Sequence, residues 1–230
     1  MRRSLCISNY AKIQDEMKNI LFDLDGTLTD PKDGIINSII YSLGKLGINE
    51  TDTKVLESFI GPPLRDSFLL RYHLSEELAD NAINYYREYF SEKGIFENEI
   101  YPGVKALLDK LYNQKYNLFI ATSKPTFYAE KIIKYFKLDI YFKNVVGSNL
   151  DNTRTDKSEI ISHIVSTENL NVKESIMIGD RKHDIIGANN NLLKSIWVSY
   201  GYGSFDEIES YNPNYIVNDC KELQSIITNA

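Results

Sequence analysis

Cysteine is nearly absent: Cys6 and Cys220 are the only two in 230 residues. That is too few for a disulfide framework and suits a reducing cytoplasm, where the chain is expected to reside. Long apolar runs are missing as well. No stretch approaches the ~20 apolar residues of a membrane helix, so no membrane partner is expected. Met1 to Cys6 carries Arg2 and Arg3, but Asn9, Lys12, Gln14, Asp15 and Glu16 follow in place of an apolar segment, which argues against a secretory signal. An excess of positive charge is lacking too. Lys and Arg number 26 against 32 Asp and Glu, a formal net charge of -6. A nucleic-acid polymer needs a concentrated basic surface and is excluded as the main partner; a small anionic ligand needs only a local positive site. Internal repeats and low-complexity tracts are absent.

What remains is an ordinary globular composition, 43% hydrophobic and 25% charged. The length accommodates a core with a small inserted domain, in a monomer or a dimer. Ile20 to Leu24 reads as a buried strand, a short apolar run ending in a polar loop. Similar runs follow at Tyr116–Ala121, Asn144–Gly147, Ser175–Ile178 and Ser195–Val198, with Tyr215–Val217 as a sixth. Helical spacing of apolar residues marks Val104–Leu111, Ala129–Phe136, Lys157–Ser166 and Asp184–Asn190. Strands alternating with helices predict an α/β fold, a parallel sheet with helices on both faces. Ligands of such sheets bind beyond the carboxyl ends of the strands, where Asp23, Thr122 and Asp180 all fall.

Residues 31–99 break the alternation. Ile35, Ile36, Ile39, Ile40 and Leu43, then Leu78, Ala82, Tyr85, Tyr86, Tyr89 and Phe90, follow helical periods, and no strand pattern is convincing there. The segment reads as a helical insertion whose aromatic stripe forms its own core. Residues 17–30 and 100–230 make up the parent domain. Residues 1–16 read either as an N-terminal extension or as an extra helix packed on the core.

The segment Asp23-Leu24-Asp25-Gly26-Thr27-Leu28-Thr29-Asp30 is the most informative. Side chains alternate along a strand, so Asp23 and Asp25 can point one way while Leu24 enters the core. Two adjacent carboxylates repel unless a cation lies between them or one takes a proton. Mg²⁺ suits such hard oxygen donors and accepts substrate phosphate as a further ligand. Gly26 permits the sharp turn that ends the strand. Taken alone, the same residues also describe an Asp- and Gly-rich turn.

Other residues bear on the choice. Thr122 and Ser123 offer hydroxyls and amides at a strand end, ahead of a helix that Pro125 can start, and a helix N-terminus binds phosphate oxygens. Lys157 could neutralise phosphate, although a lone lysine is commonly a solvated charge. Gly179-Asp180-Arg181-Lys182-His183-Asp184 adds two carboxylates one helical turn apart, which could equally be a capping turn.

Taken together, these residues resemble the haloacid dehalogenase superfamily of phosphatases, in particular the branch of phosphoglycolate phosphatases. The match runs from Ile20 to about Val217. Four motifs stand in the family's order: Asp23-x-Asp25-Gly26-Thr27, Thr122, Lys157 and Gly179-Asp180-x-x-x-Asp184. The resemblance implies a Mg²⁺-dependent phosphatase with a Rossmann-like core. Asp23 would be the nucleophile that becomes an aspartyl phosphate. Asp25 would protonate the leaving oxygen and then deprotonate the hydrolytic water. Asp23, the backbone carbonyl of Asp25, and Asp180 would hold the metal, with Asp184 acting behind them or through water. Thr122, Ser123, Gly26 and Lys157 would bind the phosphoryl group, with Mg²⁺ and Lys157 cancelling the repulsion between carboxylate and phosphate.

Between Thr122 and Lys157 there is room for a helix and a strand only, so the insertion after Asp25 implies the helical type of cap that favours small substrates. The expected partner is a small phosphorylated metabolite, for instance phosphoglycolate or a nucleoside monophosphate. Gly61-Pro62-Pro63-Leu64-Arg65 is similar to the cap loop that points toward the catalytic centre. Arg65 is the candidate contact to the substrate's far end, because a guanidinium binds carboxylate or phosphate with parallel hydrogen bonds. It could instead form an ion pair with Asp66 or Glu57. Asp25 argues against the dehalogenase and phosphonate hydrolase branches, which lack an acid there. Sugar phosphomutases commonly carry a histidine entering the cap, where this chain has Lys32-Asp33-Gly34-Ile35-Ile36. A non-catalytic phosphate-binding regulator would have lost a nucleophile or a metal ligand, and none is lost.

Overall fold

Asn19–Phe22 (β1) is buried at all four positions, as a strand covered on both faces must be. The computed structural model describes residues 17–151 and 153–228. The two readings of residues 1–16 lie outside the described residues. β1 is followed by β2 (Thr29–Asp30), α1 (Lys32–Lys45), α2 (Thr53–Glu57), α3 (Leu64–Tyr72) and α4 (Glu76–Tyr89). A π-helical turn at Phe90–Gly94 leads into β3 (Glu99–Ile100) and α5 (Val104–Asn113). The chain then alternates: β4 (Asn117–Pro125), α6 (Thr126–Tyr135), β5 (Phe142–Ser148), α7 (Lys157–Thr167), β6 (Ser175–Gly179), α8 (Lys182–Asn190) and β7 (Lys194–Val198). It ends with α9 (Phe205–Ile208), β8 (Tyr215–Val217) and α10 (Cys220–Ile227).

Six strands form one parallel sheet in the order β5-β4-β1-β6-β7-β8. Strand alternation sorts its side chains between the two faces. Leu21 is in register with Phe119 and Met177, and this row packs against Ile160, Ile161 and Ile164 of α7 and Ala188 of α8. The next row, Phe22 with Ile120 and Ile178, faces the opposite cluster, which includes Leu107 and Leu111 of α5 and Leu223 and Ile226 of α10. Each buried aliphatic or aromatic side chain contributes about 1.5–3 kcal/mol. β1 lies between β4 and β6, so the chain crosses away from it in both directions. The carboxyl ends of these three strands therefore open on one crevice.

The expected parallel α/β sheet is present, with all six expected strands. Two details differ. β2 and β3 form a small antiparallel ribbon where the chain leaves the parent domain and returns to it. Two residues per strand are too few to show a period. β4 also continues past Ala121 to Pro125, with an irregular register between Ala121 and Pro125 that moves Thr122, Ser123 and Lys124 out of regular pairing with β5.

The segment between the ribbon strands is helical, with α1 packed on α4. Ser42 donates to the carbonyl of Ala82 at 2.6 Å. Ser75 caps α4 by accepting the Leu78 N–H at 3.3 Å. The α4 stripe does not serve the insertion's own core alone. Ala82, Tyr86 and Phe90 are buried, but Tyr86 and Phe90 also face a cavity toward the parent domain, and Leu78 is 43% exposed. Among the described residues, no helix is long and apolar enough to cross a membrane.

Candidate active site

The backbone turns sharply after β1. Asp23 accepts the Leu24 N–H on Oδ1 at 2.8 Å, and Leu24 supplies the carbonyl that accepts the N–H groups of Leu28 and Thr29. Gly26 occupies the left-handed region at φ 87°, and a Cβ there would lie 2.3 Å from Asp180 Oδ2. Only glycine lets the turn close against that carboxylate. Gly26 is therefore packed on the acidic cluster and is not among the residues lining the cavity.

Asp23 and Asp25 both line the cavity, and each meets a different lysine. Lys157 Nζ lies 2.9 Å from Asp23 Oδ1 and 2.8 Å from Asp184 Oδ1, and also donates to the Ala121 carbonyl at 2.9 Å. Lys124 Nζ lies 2.8 Å from Asp25 Oδ2. Each acid thus has its own lysine. Asp25 Oδ1 is buried with no hydrogen-bond partner among the described residues. Lys124 also sits 4.5 Å from the centre of the Phe90 ring, so it touches the insertion as well as Asp25. Lys124 follows Thr122 and Ser123 directly but has no role in the motifs read from the sequence. Its position next to Thr122 and Ser123 was the available signal.

Helix starts aim the remaining groups. Asp156 caps α7 by accepting the Ser158 N–H at 2.7 Å, which puts Lys157 in the first turn with its stem running toward β1. Asp184 accepts the Arg181 N–H on Oδ2 at 3.0 Å at the start of α8, while its Oδ1 meets Lys157. The capping reading of Asp184 and the reading that puts it in the site both describe it. Asp180 Oδ2 accepts the Tyr202 N–H at 2.7 Å, and Oδ1 accepts the Thr27 hydroxyl at 3.4 Å. Nothing in the sequence marked the Tyr202 loop, which reaches Asp180 only through the fold.

Carboxylate oxygens of Asp23, Asp180 and Asp184 lie within 4.8 Å of one another, and all three residues are buried. Burial raises the Asp180 carboxyl well above its ordinary value, and Asp23 and Asp184 raise it further. Burial likewise pushes Asp184 up to about 6 against the opposing pull of Lys157. Burial by itself lowers the pKa of the Lys157 ammonium, but Asp184 and Asp23 outweigh it and hold the ammonium above its usual range. Asp25 is raised by burial, in part offset by Lys124. One buried ammonium among three carboxylates leaves uncompensated negative charge. Hard oxygen donors with that excess charge fit a divalent cation such as Mg²⁺.

A cavity of about 190 Å³ opens onto Asp23 and Asp25, with Lys157, Asp180 and Asp184 behind its lining. Its floor is formed by Asp23, Asp25, Thr122, Ser123 and Lys124, and Phe59, Tyr86, Phe90 and Tyr128 stand in its walls. Arg65 also lines it, but its guanidinium pairs with Glu76 and, at 3.0 Å, with Asp80. Asp66 and Glu57, the alternative partners read from the sequence, are not the ones it meets. The structure thus gathers Asp23, Asp25, Thr122, Ser123, Lys157, Asp180 and Asp184 at one crevice and leaves Arg65 tied within the insertion.

Residues 20–198 match the family model described as haloacid dehalogenase-like hydrolase. A relative in Pseudomonas aeruginosa, named 5'-nucleotidase, is 44% identical over 91% of this chain and 95% of its own length. A Vibrio parahaemolyticus relative named phosphoglycolate phosphatase is 25% identical over 93% of this chain and 97% of its own. The crystal structure of a predicted phosphatase from Clostridium acetobutylicum is 47% identical, with a TM-score of 0.87 over 90% of this chain and 97% of that one.

Proposed function

We propose, since the chain belongs to the haloacid dehalogenase-like hydrolase family, that this phosphatase cleaves a small phosphate monoester through an aspartyl phosphate on Asp23. The observation that carries the reading is the pairing of Asp23 and Asp25 with separate lysines at the floor of one cavity. Both the Leu24 N–H and Lys157 fall on Asp23 Oδ1, so Oδ2 is the oxygen left to attack phosphorus. As the new bond forms, the ester P–O bond breaks and Asp25 gives its proton to the leaving oxygen. Asp25 then takes a proton from water, which attacks phosphorus and releases Asp23 and inorganic phosphate. Lys157 and the Thr122 and Ser123 groups hold the phosphoryl oxygens in line. Asp23, Asp180, the carbonyl of Asp25 and, behind them, Asp184 would hold Mg²⁺, which when bound supplies positive charge against the phosphoryl oxygens. Residues 31–99 act as the cap that closes the cavity.

The aromatic cavity walls favour a substrate with a flat leaving group, and the Pseudomonas aeruginosa relative's name fits a nucleoside monophosphate. Stacking of a base on an aromatic ring contributes about 1–3 kcal/mol, or roughly 5- to 150-fold. Phosphate release from a panel of phosphorylated metabolites should therefore show kcat/KM for the best nucleoside 5'-monophosphate at least ~10-fold above that for phosphoglycolate. A preference for phosphoglycolate would overturn the substrate class and leave the chemistry in place. Arg65→Ala should lower kcat/KM equally for an anionic metabolite and for p-nitrophenyl phosphate, because its guanidinium is already paired within the cap. A selective loss on the anionic substrate would return Arg65 to the substrate.

Metal dependence has a pH signature. Asp184 at about 6 and the raised Asp180 hold protons more tightly folded than unfolded. For Asp184 this stability is complete below its unfolded value of about 4 and is lost as pH rises through its folded value of about 6; for Asp180 it is lost as pH rises through its raised folded value. The metal-free protein should lose that contribution across this window. Mg²⁺ competes with the same protons, so its addition should raise Tm more at about pH 7.5 than at about pH 5. An equal rise at both values would remove these carboxylates from the metal site.

A further inference from the structure

Arg181 stands in the chain between Asp180 and Asp184, yet its guanidinium turns away from both. Nη1 donates to the carbonyl of Ile60, in the segment joining α2 to α3 of the cap. Nε donates to Glu207 Oε1 and Oε2 at 3.0 and 3.2 Å. Both side chains are largely covered, Arg181 at 14% exposure and Glu207 at 16%. A charged donor on a carbonyl, its guanidinium fixed from behind by a carboxylate, is a strong and directional contact.

The residue after Ile60 is shaped to receive it. Gly61 has φ 105°, and a Cβ there would stand 2.8 Å from Arg181 Nη1 and 3.2 Å from Arg181 Cγ. The guanidinium lies against Gly61, where a side chain would displace it. Gly61, Pro62 and Pro63 then form part of the cavity wall, and Pro63 precedes the first turn of α3. Two consecutive prolines have little freedom of their own, so the position of the Ile60 carbonyl sets where this wall stands.

We propose that Arg181, braced by Glu207, is a positioning residue that holds the Gly61–Pro63 loop over the bound substrate. This rests on reading the cavity as the substrate site. The Ile60 contact is remote from the reacting atoms, so it supports the ground state and the transition state alike. Losing such a contact raises KM and leaves kcat nearly unchanged.

Hydrogen exchange, steady-state kinetics and Mg²⁺ calorimetry on Arg181→Ala, Arg181→Lys, Glu207→Gln and Gly61→Ala test this. In Arg181→Ala, amides from Phe59 to Asp66 should exchange about tenfold faster while those of β6 stay protected, as expected when a local contact is lost without unfolding. KM should rise about tenfold with kcat changed less than about threefold. Mg²⁺ affinity should not move. Arg181→Lys and Glu207→Gln should fall between wild type and Arg181→Ala. Adding Glu207→Gln to Arg181→Ala should cost nothing further, since the two act as one unit. Gly61→Ala, which keeps Arg181 but crowds it, should reproduce the exchange result. Native protection of the loop in Arg181→Ala and Gly61→Ala would overturn the proposal. So would a fall in Mg²⁺ affinity with the loop still protected, which would assign Arg181 to the geometry of Asp180 and Asp184. The exchange result does not depend on turnover, so failure of the substrate reading would show separately as kinetics without activity.

Discussion

Asp23→Asn should lower turnover by at least ~10³-fold, about 4 kcal/mol of transition-state stabilisation. The substitution keeps the size of the side chain, and the amide oxygen can still accept the Leu24 N–H. It removes the anionic oxygen that, in the proposed mechanism, bonds to phosphorus, and no neighbour is placed to replace it. Asp25 is held by Lys124, and Asp180 and Asp184 lie in the cluster behind. Folding should survive, because the lost charge relieves repulsion from Asp180 and Asp184 in a buried site. The measurement is single-turnover phosphate release by the purified variant, with mass spectrometry to exclude reversion by deamidation. Near-native turnover in a verified asparagine variant would end the aspartyl phosphate reading.

Lys157→Met is expected to act on both chemistry and stability. The Lys157 side chain is only 3% exposed, and its ammonium meets Asp23, Asp184 and the Ala121 carbonyl. Methionine fills much of the same volume but supplies no charge. Removing one partner from a buried ionic group costs about 3–5 kcal/mol, because the remaining charges stay buried and unpaired. The metal-free variant should unfold at a lower denaturant concentration by a corresponding amount, and Mg²⁺ should recover part of the loss by returning positive charge to the cluster. Turnover should fall at least ~10²-fold even at saturating Mg²⁺, since the phosphoryl oxygens lose a fixed cation. A variant with wild-type stability without metal would mean that the acidic cluster is compensated by groups other than Lys157.

Much of the site was legible because local chemistry and chain order are both sequence properties. The apolar runs ending at Asp23, Thr122 and Asp180 marked strand ends, and a parallel sheet places strand ends together whatever its loops do. The helix at Lys157 followed from the apolar spacing after it, and the structure adds the cap at Asp156. Lys124 and Tyr202 were not legible as site residues. Lys124 is one of 26 basic residues, and only the irregular exit of β4 turns it toward Asp25. Tyr202 acts on Asp180 through its backbone N–H, a group every residue except proline carries.

Periodicity also has a limit that the cap exposes. A stripe on one helix face shows that the face is covered, and does not show by what. Tyr86 and Phe90 were legible as buried aromatics, yet they look onto a cavity shared with Lys124 and Asp25. Arg65 shows the same limit for charge. Its place beside Gly61-Pro62-Pro63 was visible, but Glu76 and Asp80 reach it only because α4 packs beside α3.

The sequence by itself determined the α/β class, the order of the strands along the chain, the helical insertion and the set of acids and lysines available to the chemistry, because these follow from local pattern and residue type. Only the tertiary structure decided which lysine faces which aspartate, that Asp25 stays outside the cluster of Asp23, Asp180 and Asp184, and that Arg181 reaches across to the cap. Those pairings join residues up to 161 positions apart, Asp23 to Asp184. Coulomb energy and hydrogen bonding depend on distance in space, which the chain acquires only when the sheet and the cap close on one another.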